Sequence, residues 1–256
     1  MISVVLVNFN EAEKLKRCLK SLDNFAGEIV VLDLGSKDQS IEICRQSGVS
    51  VFKHRFVSYV EQVRNEAVSK AQGEWILVLD PDEVVSEKLK ERLKEIVLQD
   101  RYQAVNIPRK NVFFGHWIAH SNWWPDKHVR FFKKGSVSWD GKIHKYPKVS
   151  GRVLNLETKE NLAIVHFGYN SAAEFIARQN RYSSIEAENL YATGVRFSWF
   201  NFFWKPSREF LVRFLRHAGF LDGIYGFMLT FLMMIYQLQV MIKLWELENQ
   251  TRNSFQ

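Results

Sequence analysis

The sequence predicts an α/β fold: a mostly parallel central sheet with an antiparallel extension and a helical C-terminal tail. Three observations predict it. Short, continuously apolar runs alternate with amphipathic helical patterns through roughly the first hundred residues, as in a parallel sheet covered on both faces. From Tyr102 the helices drop out, and short candidate strands follow one another between Gly, Pro and Asn, as in antiparallel pairing. From Ser171 the pattern is helical to the end.

Each element follows from its residues. Ser3–Asn8 (SVVLVN) is a β-branched run, and Glu11–Leu22 places Ala12, Leu15, Leu19 and Leu22 on one helical face. Glu28–Asp33 (EIVVLD) is the second strand, and Asp38–Gln46 a short helix closed by Gly48. Val49–Lys53 is the third strand. Tyr59–Ala71 is helical, with Val60, Val63, Ala67 and Ala71 in register and Gly73 past its end. Trp75–Leu79 is the fourth strand, and Ser86 caps a helix carrying Leu89, Leu93, Ile96 and Val97. Gln103–Arg109, Asn111–Trp117, His128–Lys133, Val137–Trp139 and Leu162–Val165 are the later strands.

Composition is globular, with 46% hydrophobic and 25% charged residues, which excludes a disordered chain. The net charge of +7 suits an anionic partner, either a phosphorylated substrate or an anionic membrane surface. The basic residues are interleaved with carboxylates and gather toward the tail, so nucleic acid is not expected. The two cysteines, Cys18 and Cys44, lack the spacing of a metal site or disulfide framework. They read as buried thiols in a reducing cytosol. The opening MISVVLVNFN has neither a basic n-region nor a small-residue cleavage site, and reads as a strand rather than a signal peptide.

The tail carries its own pattern. Phe197–Trp204 (FSWFNFFW) is mostly aromatic, and Pro206–Ala218 sets Phe210, Leu211, Phe214, Leu215 and Ala218 opposite Arg208, Arg213, Arg216 and His217. Gly223–Ile242 is about as long as a spanning helix needs, but Gln237 and Gln239 interrupt it. Peripheral attachment through the aromatic and basic surface is the leading expectation, ahead of a bilayer span and of a core helix. The same apolar helix would also serve a homodimer.

Open parallel sheets bind ligands at the carboxyl ends of their strands. The polar residues there are Asn8, Asn10 and Glu11, then Asp33, Gly35, Ser36 and Asp38, then Asp80, Asp82 and Glu83. The last group ends EWILVLDPDE, where three carboxylates crowd one strand exit although like charges repel. One reading is a polar turn with Pro at its second position. The other is chelation of Mg²⁺ or Mn²⁺, since hard cations take carboxylates together with substrate phosphates. No GxGxxG follows the first strand and no GxxxxGK[ST] occurs, which sets aside dinucleotide oxidoreductases and P-loop enzymes.

In combination, SVVLVNFNEA, IVVLDLGSKDQS, VRNEAVSKAQGEWILVLDPDE and NWWPDKHVRFFKKGSVSWDGKIHK resemble the family 2 glycosyltransferases of the GT-A (nucleotide-diphospho-sugar transferase) fold. With IVHFGY and GFLDGIYGF, the resemblance is to the lipopolysaccharide-core β-glycosyltransferase branch that includes WaaE-type enzymes. It implies inverting transfer of a sugar from a nucleotide-sugar, usually a UDP-sugar, to a hydroxyl of a lipid-linked glycan, on the cytoplasmic face of the membrane. It implies that Asn8, Asn10 and Glu11 line the nucleotide pocket and that Asp33 bonds the base. Gly35 and Ser36 shape that loop, with Asp38 helping to hold it, and Arg64 and Asn65 face the donor. Asp80 and Asp82 form the DxD motif, with Asp82 the direct metal ligand. Asp126 is the implied catalytic base, with Asp140 and Glu83 in reserve, and Trp123 and Trp124 stack on acceptor sugars. His144 stands where relatives carry a His-Glu pair, here His144-Lys145, and is a candidate for the metal; His166 reads as a strand-end residue.

The expected organisation is a catalytic domain over 1–170, divided into a nucleotide-sugar half (1–100) and an acceptor half (101–170), followed by a membrane-associated helical region over 171–256. Two alternatives stay open: a polyprenyl phosphate acceptor, and a non-catalytic glycan-binding protein on the same fold.

Overall fold

Alternation along the first strand decides which side chains reach each layer. In β1 (Ile2–Asn8), Val4 and Leu6 point to one side of the sheet and Val5 and Val7 to the other, and all four are buried. The computed structural model describes residues 1–141 and 146–253, with side chains as far as 250. Chain order continues with α1 (Ala12–Ser21), β2 (Glu28–Asp33), α2 (Ser40–Gln46), β3 (Ser50–Lys53), α3 (Arg64–Lys70), β4 (Trp75–Leu79), β5 (Glu83–Val84) and α4 (Glu87–Gln99). Then come β6 (Ala104–Phe113), β7 (His116–Trp117), β8 (Asp126–Lys133), β9 (Val137–Ser138), β10 (Lys148–Val149), β11 (Val153–Asn155) and β12 (Ile164–Tyr169). The helices α5 (Ala172–Ala192), α6 (Trp199–Phe210) and α7 (Gly223–Asn253) complete the chain.

The main sheet runs β3-β2-β1-β4-β8-β6-β12-β5, with β7 and β11 pairing β6. β3, β2, β1 and β4 are parallel; β8 joins β4 antiparallel and β6 joins β8 antiparallel. This is the predicted parallel sheet with an antiparallel extension. Leu15, Cys18 and Leu19 of α1 and Leu89, Leu93 and Ile96 of α4 cover one face, while Ala67 and Val68 of α3 cover the other. Ser86 caps α4 as expected, accepting from Leu89 N at 3.1 Å.

Three differences have physical reasons. The two strands expected over 103–117 are one long β6 and a short β7, because Phe114 and Gly115 both take positive φ and close a tight hairpin with Val112 opposite Trp117. The helix expected over 59–71 starts as a 3-10 turn at Val60–Gln62 and becomes α only at Arg64. The very short β5, β10 and β11 carry no alternation to read, since two or three residues cannot show a period.

The chain forms two compact units: Met1–Lys110 with Pro125–His166, and Asn111–Trp124 with Phe167–Gln256. The segment 111–124 therefore groups with the helices, where a continuous acceptor half over 101–170 was expected. Within the second unit, Phe113 and Ile118 pack with Phe175 of α5 and Leu229, Leu232 and Met233 of α7. Ser171 caps α5 by accepting from Glu174 N at 3.1 Å. Lys243 of α7 ties to α5 through Asn180 Oδ1, Ser183 Oγ and Ser184 Oγ, each at 2.8 Å.

Gly226 of α7 shows how closely this unit is built. A Cβ there would lie 1.8 Å from the carbonyl oxygen of Gly219. Gly226→Ala is expected to destabilise the protein by about 1–3 kcal/mol, read as a lower thermal midpoint; an unchanged midpoint would contradict that packing.

Candidate active site

The parallel register of β1 and β2 sets Asn8 beside Asp33 at the carboxyl ends of both strands, and both are buried. Asn8 Nδ2 donates to Asp33 Oδ1 at 3.2 Å and to Ser36 Oγ at 3.1 Å. The Asp33 carboxylate also accepts from Gly35 N (3.0 Å), Ser36 N (2.9 Å) and Ser36 Oγ (2.5 Å). Gly35 sits at φ +88°, which only glycine adopts without strain. Ser36 Oγ accepts from Asn10 N, and Asn10 Oδ1 accepts from Lys37 N at 2.7 Å. Five of the predicted nucleotide-site residues thus form one laced rim.

Four hydrogen bonds use the lone-pair capacity of a carboxylate, so Asp33 shapes this loop. Asn8 Oδ1 is buried and has no hydrogen-bond partner among the described residues; it is an acceptor that a ligand N–H would satisfy. Asp38 holds two helices to the rim, accepting from Ala12 N at 2.9 Å and Ser40 N at 3.0 Å. Burial opposes its charge, but hydrogen bonds from Ser40 and Ala12 lower its pKa. Glu11 pairs with Lys14 at 3.0 Å.

The crowded carboxylates at the end of β4 are answered by arginines. Arg64 of α3 donates to Asp80 Oδ1 at 2.9 Å, and Arg130 of β8 donates to Asp80 Oδ2 at 2.7 Å and to Glu83 Oε1 at 2.8 Å. Arg109 of β6 lies 3.6 Å from Glu83 Oε1 and bonds Asp126 Oδ2 through Nε at 2.9 Å and Nη2 at 2.5 Å. His128 Nε2 meets Asp126 Oδ1 at 2.9 Å. The result is a ladder in which Arg64, Asp80, Arg130, Glu83, Arg109 and Asp126 alternate in sign, with the His128 ring bonded to its last carboxylate. Burial opposes ionisation of Asp80, but the Arg130 and Arg64 guanidiniums outweigh it and hold the carboxyl well below the usual range. Burial likewise opposes the charge of Asp126, and the His128 hydrogen bond and Arg109 outweigh it in the same direction.

Both carboxyls have folded pKa values below their unfolded ones. Their stabilisation is therefore complete above the unfolded value of about 4 and is lost as pH falls toward the folded values. The urea midpoint is expected to begin falling below about pH 5 and to continue down through pH 3; a midpoint constant to pH 3 would contradict the ladder.

Asp82 makes no ion pair with these arginines among the described residues. Its Oδ2 lies 3.6 Å from Nε2 of His166 on β12, and both side chains are nearly buried. Burial opposes its charge, yet the facing His166 ring lowers its pKa. Among the described residues no group of three His, Cys, Asp or Glu side chains forms a metal cluster. The fit to a divalent cation is thus one carboxylate and one imidazole, a partial set of the kind that Mg²⁺ and Mn²⁺ complete with substrate phosphate oxygens and water.

Arg64, Asp80, Arg109, His128, Arg130 and Trp139 line a cleft of about 430 Å³. Glu83, a reserve base, is fully buried and ion-paired, which removes it from contact with an acceptor hydroxyl. Asp140, the other reserve, is exposed. Asn65 uses both ends of its amide on the backbone of Trp139, at 2.7 and 3.0 Å, and so anchors the segment after β9. His144 lies outside the described residues. Trp123 and Trp124 belong to the second unit, where Trp123 packs edge-on to Phe113 under the Arg213 guanidinium and Trp124 meets Trp117 edge-on. Both cysteines are buried and free. Burial and the nearby Glu83, Asp82 and Asp80 raise the Cys18 pKa, while burial and Asp33 bring Cys44 up to about 11, so both thiols are inert.

Sequence reasoning missed Arg109, His128 and Arg130 and undervalued His166. A signal for the strand residues was present. Asp126, His128 and Arg130 alternate along DKHVR, which puts three polar groups on one face of β8. No local signal joins His166 to Asp82, because they meet through the β12–β5 pairing.

Residues 3–150 match the sequence profile described as Glycosyl transferase family 2. An uncharacterized glycosyltransferase of Rickettsia typhi is 26% identical over 265 residues, covering 98% of this chain and 89% of its own. The lipopolysaccharide core biosynthesis glycosyltransferase LpsC of Rhizobium meliloti is 25% identical over 234 residues, covering 88% of this chain and 85% of its own. Among solved structures, S. aureus TarS matches 87% of this chain and 45% of its own, at 16% identity and a TM-score of 0.47. The profile spans more than half of the 256 residues, over the parallel strands and their antiparallel extension: this chain belongs to glycosyl transferase family 2, a glycosyltransferase of the GT-A fold that uses a nucleotide-sugar.

Proposed function

We propose that the protein transfers a sugar from a UDP-sugar to a hydroxyl of a lipid-linked glycan such as lipopolysaccharide core, with inversion and with a divalent cation. The observation that carries this reading is the pairing, on one sheet, of the laced Asn8–Asp33–Ser36 rim with Asp82 and His166. The first is a polar cradle whose buried Asn8 Oδ1 suits an N–H of the nucleotide base. The second suits a cation shared with a diphosphate. The similarity to LpsC supports an envelope glycan as acceptor.

In a single displacement the acceptor oxygen attacks the anomeric carbon from the face opposite the nucleotide. The bond from that carbon to the phosphate oxygen breaks, UDP departs with the electron pair, and the configuration inverts. Asp82 and His166 would hold Mg²⁺ or Mn²⁺, which supplies charge neutralisation at the departing diphosphate. Asp126 and His128 form the proton-accepting pair. The Arg109-bound carboxylate is weakened as a base, so Asp126 fixes the ring through Nε2 and leaves Nδ1 of His128 to take the hydroxyl proton.

The test is UDP release from UDP-glucose, UDP-galactose and UDP-N-acetylglucosamine in Mn²⁺, with core-truncated lipopolysaccharide as acceptor. Acceptor-dependent release with one donor is expected, and Asp126→Asn should lower kcat by about 10²–10⁴-fold while leaving UDP affinity unchanged. An Asp126→Asn enzyme of full activity would move the acceptor to a polyprenyl phosphate, an anion that needs no base. Release by no donor, or release indifferent to acceptor, would contradict the reading.

A further inference from the structure

The second unit carries an exposed apolar surface that its own packing leaves uncovered. Trp199, Phe200, Phe203 and Trp204 of α6 are each 48–71% exposed. The surface continues through Leu211 and Leu215, in the π-turn after α6, to Phe220 and Leu221. On α7, Ile224, Phe227, Met228 and Phe231 recur at helical spacing and are exposed as well. Exposed apolar patches of this extent mark an interaction site.

Charge identifies the occupant. Between Val195 and Phe231, over the exposed apolar residues, the sequence holds Arg196, Lys205, Arg208, Arg213 and Arg216 against two carboxylates, Glu209 and Asp222. Both carboxylates are consumed internally. Glu209 pairs with Arg213 at 2.6 Å, and buried Asp222 accepts from His120 N at 2.9 Å and meets His120 Nδ1 at 2.8 Å. Arg208 and Arg216 are exposed beside the aromatics. Large aromatics flanked by uncompensated cations fit the interface of an anionic bilayer, with rings at the acyl boundary and guanidiniums among the phosphates. A second copy fits poorly, because a two-fold contact would set this cationic face against itself.

The packing also decides the mode of insertion. Gly219–Gln250 is long and apolar enough to cross a membrane. Yet α7 packs lengthwise on α5, to which Lys243 and Tyr236 bond through Asn180, Ser183, Ser184 and Glu186. Crossing would draw Arg178, Arg181, Glu186 and Glu188 of α5 toward hydrocarbon, where every unpaired charge is costly. We infer that α6, the turn after it and the first turns of α7 form an in-plane docking surface for an anionic phospholipid bilayer, with Trp199, Phe200, Phe203 and Trp204 as its inserted wedge. The proposed lipid-linked acceptor gives this surface its purpose, but the surface stands on its own observations.

The test is sedimentation of the full chain with phosphatidylcholine vesicles, with and without about a third phosphatidylglycerol. Binding to the anionic vesicles is expected, weakened by salt, with a blue shift in tryptophan emission. The Phe200→Glu/Phe203→Glu variant changes two exposed side chains; it should keep its circular dichroism and lose at least about tenfold in partitioning. Lys205→Glu/Arg208→Glu should lose the preference for anionic vesicles. Equal binding to both vesicle types, or a Phe200→Glu/Phe203→Glu variant that binds as wild type, would overturn the proposal. So would dimerisation without vesicle binding, or retention of membrane-bound protein after alkaline carbonate extraction. UDP calorimetry on the same samples reports the donor site separately, so loss of lipid binding and failure of the transferase reading remain distinguishable.

Discussion

Replacing Arg130 by methionine is expected to destabilise the protein by about 3–5 kcal/mol, the usual cost of breaking a buried ion pair by removing one partner. Arg130 is nearly buried and bridges Asp80 and Glu83, the second of which has no solvent exposure at all. Water therefore cannot replace the lost guanidinium at Glu83. The effect should appear as a lower urea midpoint at pH 7 and should change little with salt, because the pair lies away from the screening ions. Adding Glu83→Gln to Arg130→Met should restore much of the loss, since it removes one stranded charge. A single variant as stable as wild type would show that the ladder contributes nothing to the folded state.

Asp82→Asn is expected to lower transfer by about a hundred- to a thousandfold, the effect of removing roughly 3–4 kcal/mol of metal-derived stabilisation from the leaving group. The two aspartates of the DPD motif have different partners. Asp80 is engaged by Arg64 and Arg130, whereas Asp82 is paired with His166 at 3.6 Å and with no arginine among the described residues. His166→Ala should impair the same step and weaken Mn²⁺ dependence, while Cys18→Ser, beneath the same strand exit, should not. A fully active Asp82→Asn enzyme would place the cation elsewhere or remove it from the mechanism.

Much of this was legible because the signals are local. The apolar runs of β1, β2 and β4 are too continuous for a one-sided sheet, and the observed bounds of β2 and β4 coincide with those read from sequence. The polar residues at the strand ends gathered on one edge because parallel topology puts them there. The crowding in DPDE was legible as well, but its resolution was not. A cation between the carboxylates was expected, whereas Asp80 and Glu83 are met by arginines from α3, β6 and β8. Their convergence depends on strand order, which local sequence does not encode. Asn65 illustrates the same limit: its motif pointed to the donor, and its amide is spent on the backbone of Trp139, distant in sequence. The tail was legible as amphipathic and aromatic. Which of its residues stay exposed follows only from how α5 and α6 cover α7.

The most direct test of the central claim is calorimetric binding of UDP, with GDP as comparison, first in Mn²⁺ and then in EDTA. A UDP-sugar transferase built on the Asn8–Asp33–Ser36 rim and the Asp82–His166 pair predicts that UDP binds in Mn²⁺ more tightly than GDP and is largely released by EDTA. A folded protein that binds no UDP in Mn²⁺, or binds it equally well in EDTA, would contradict it.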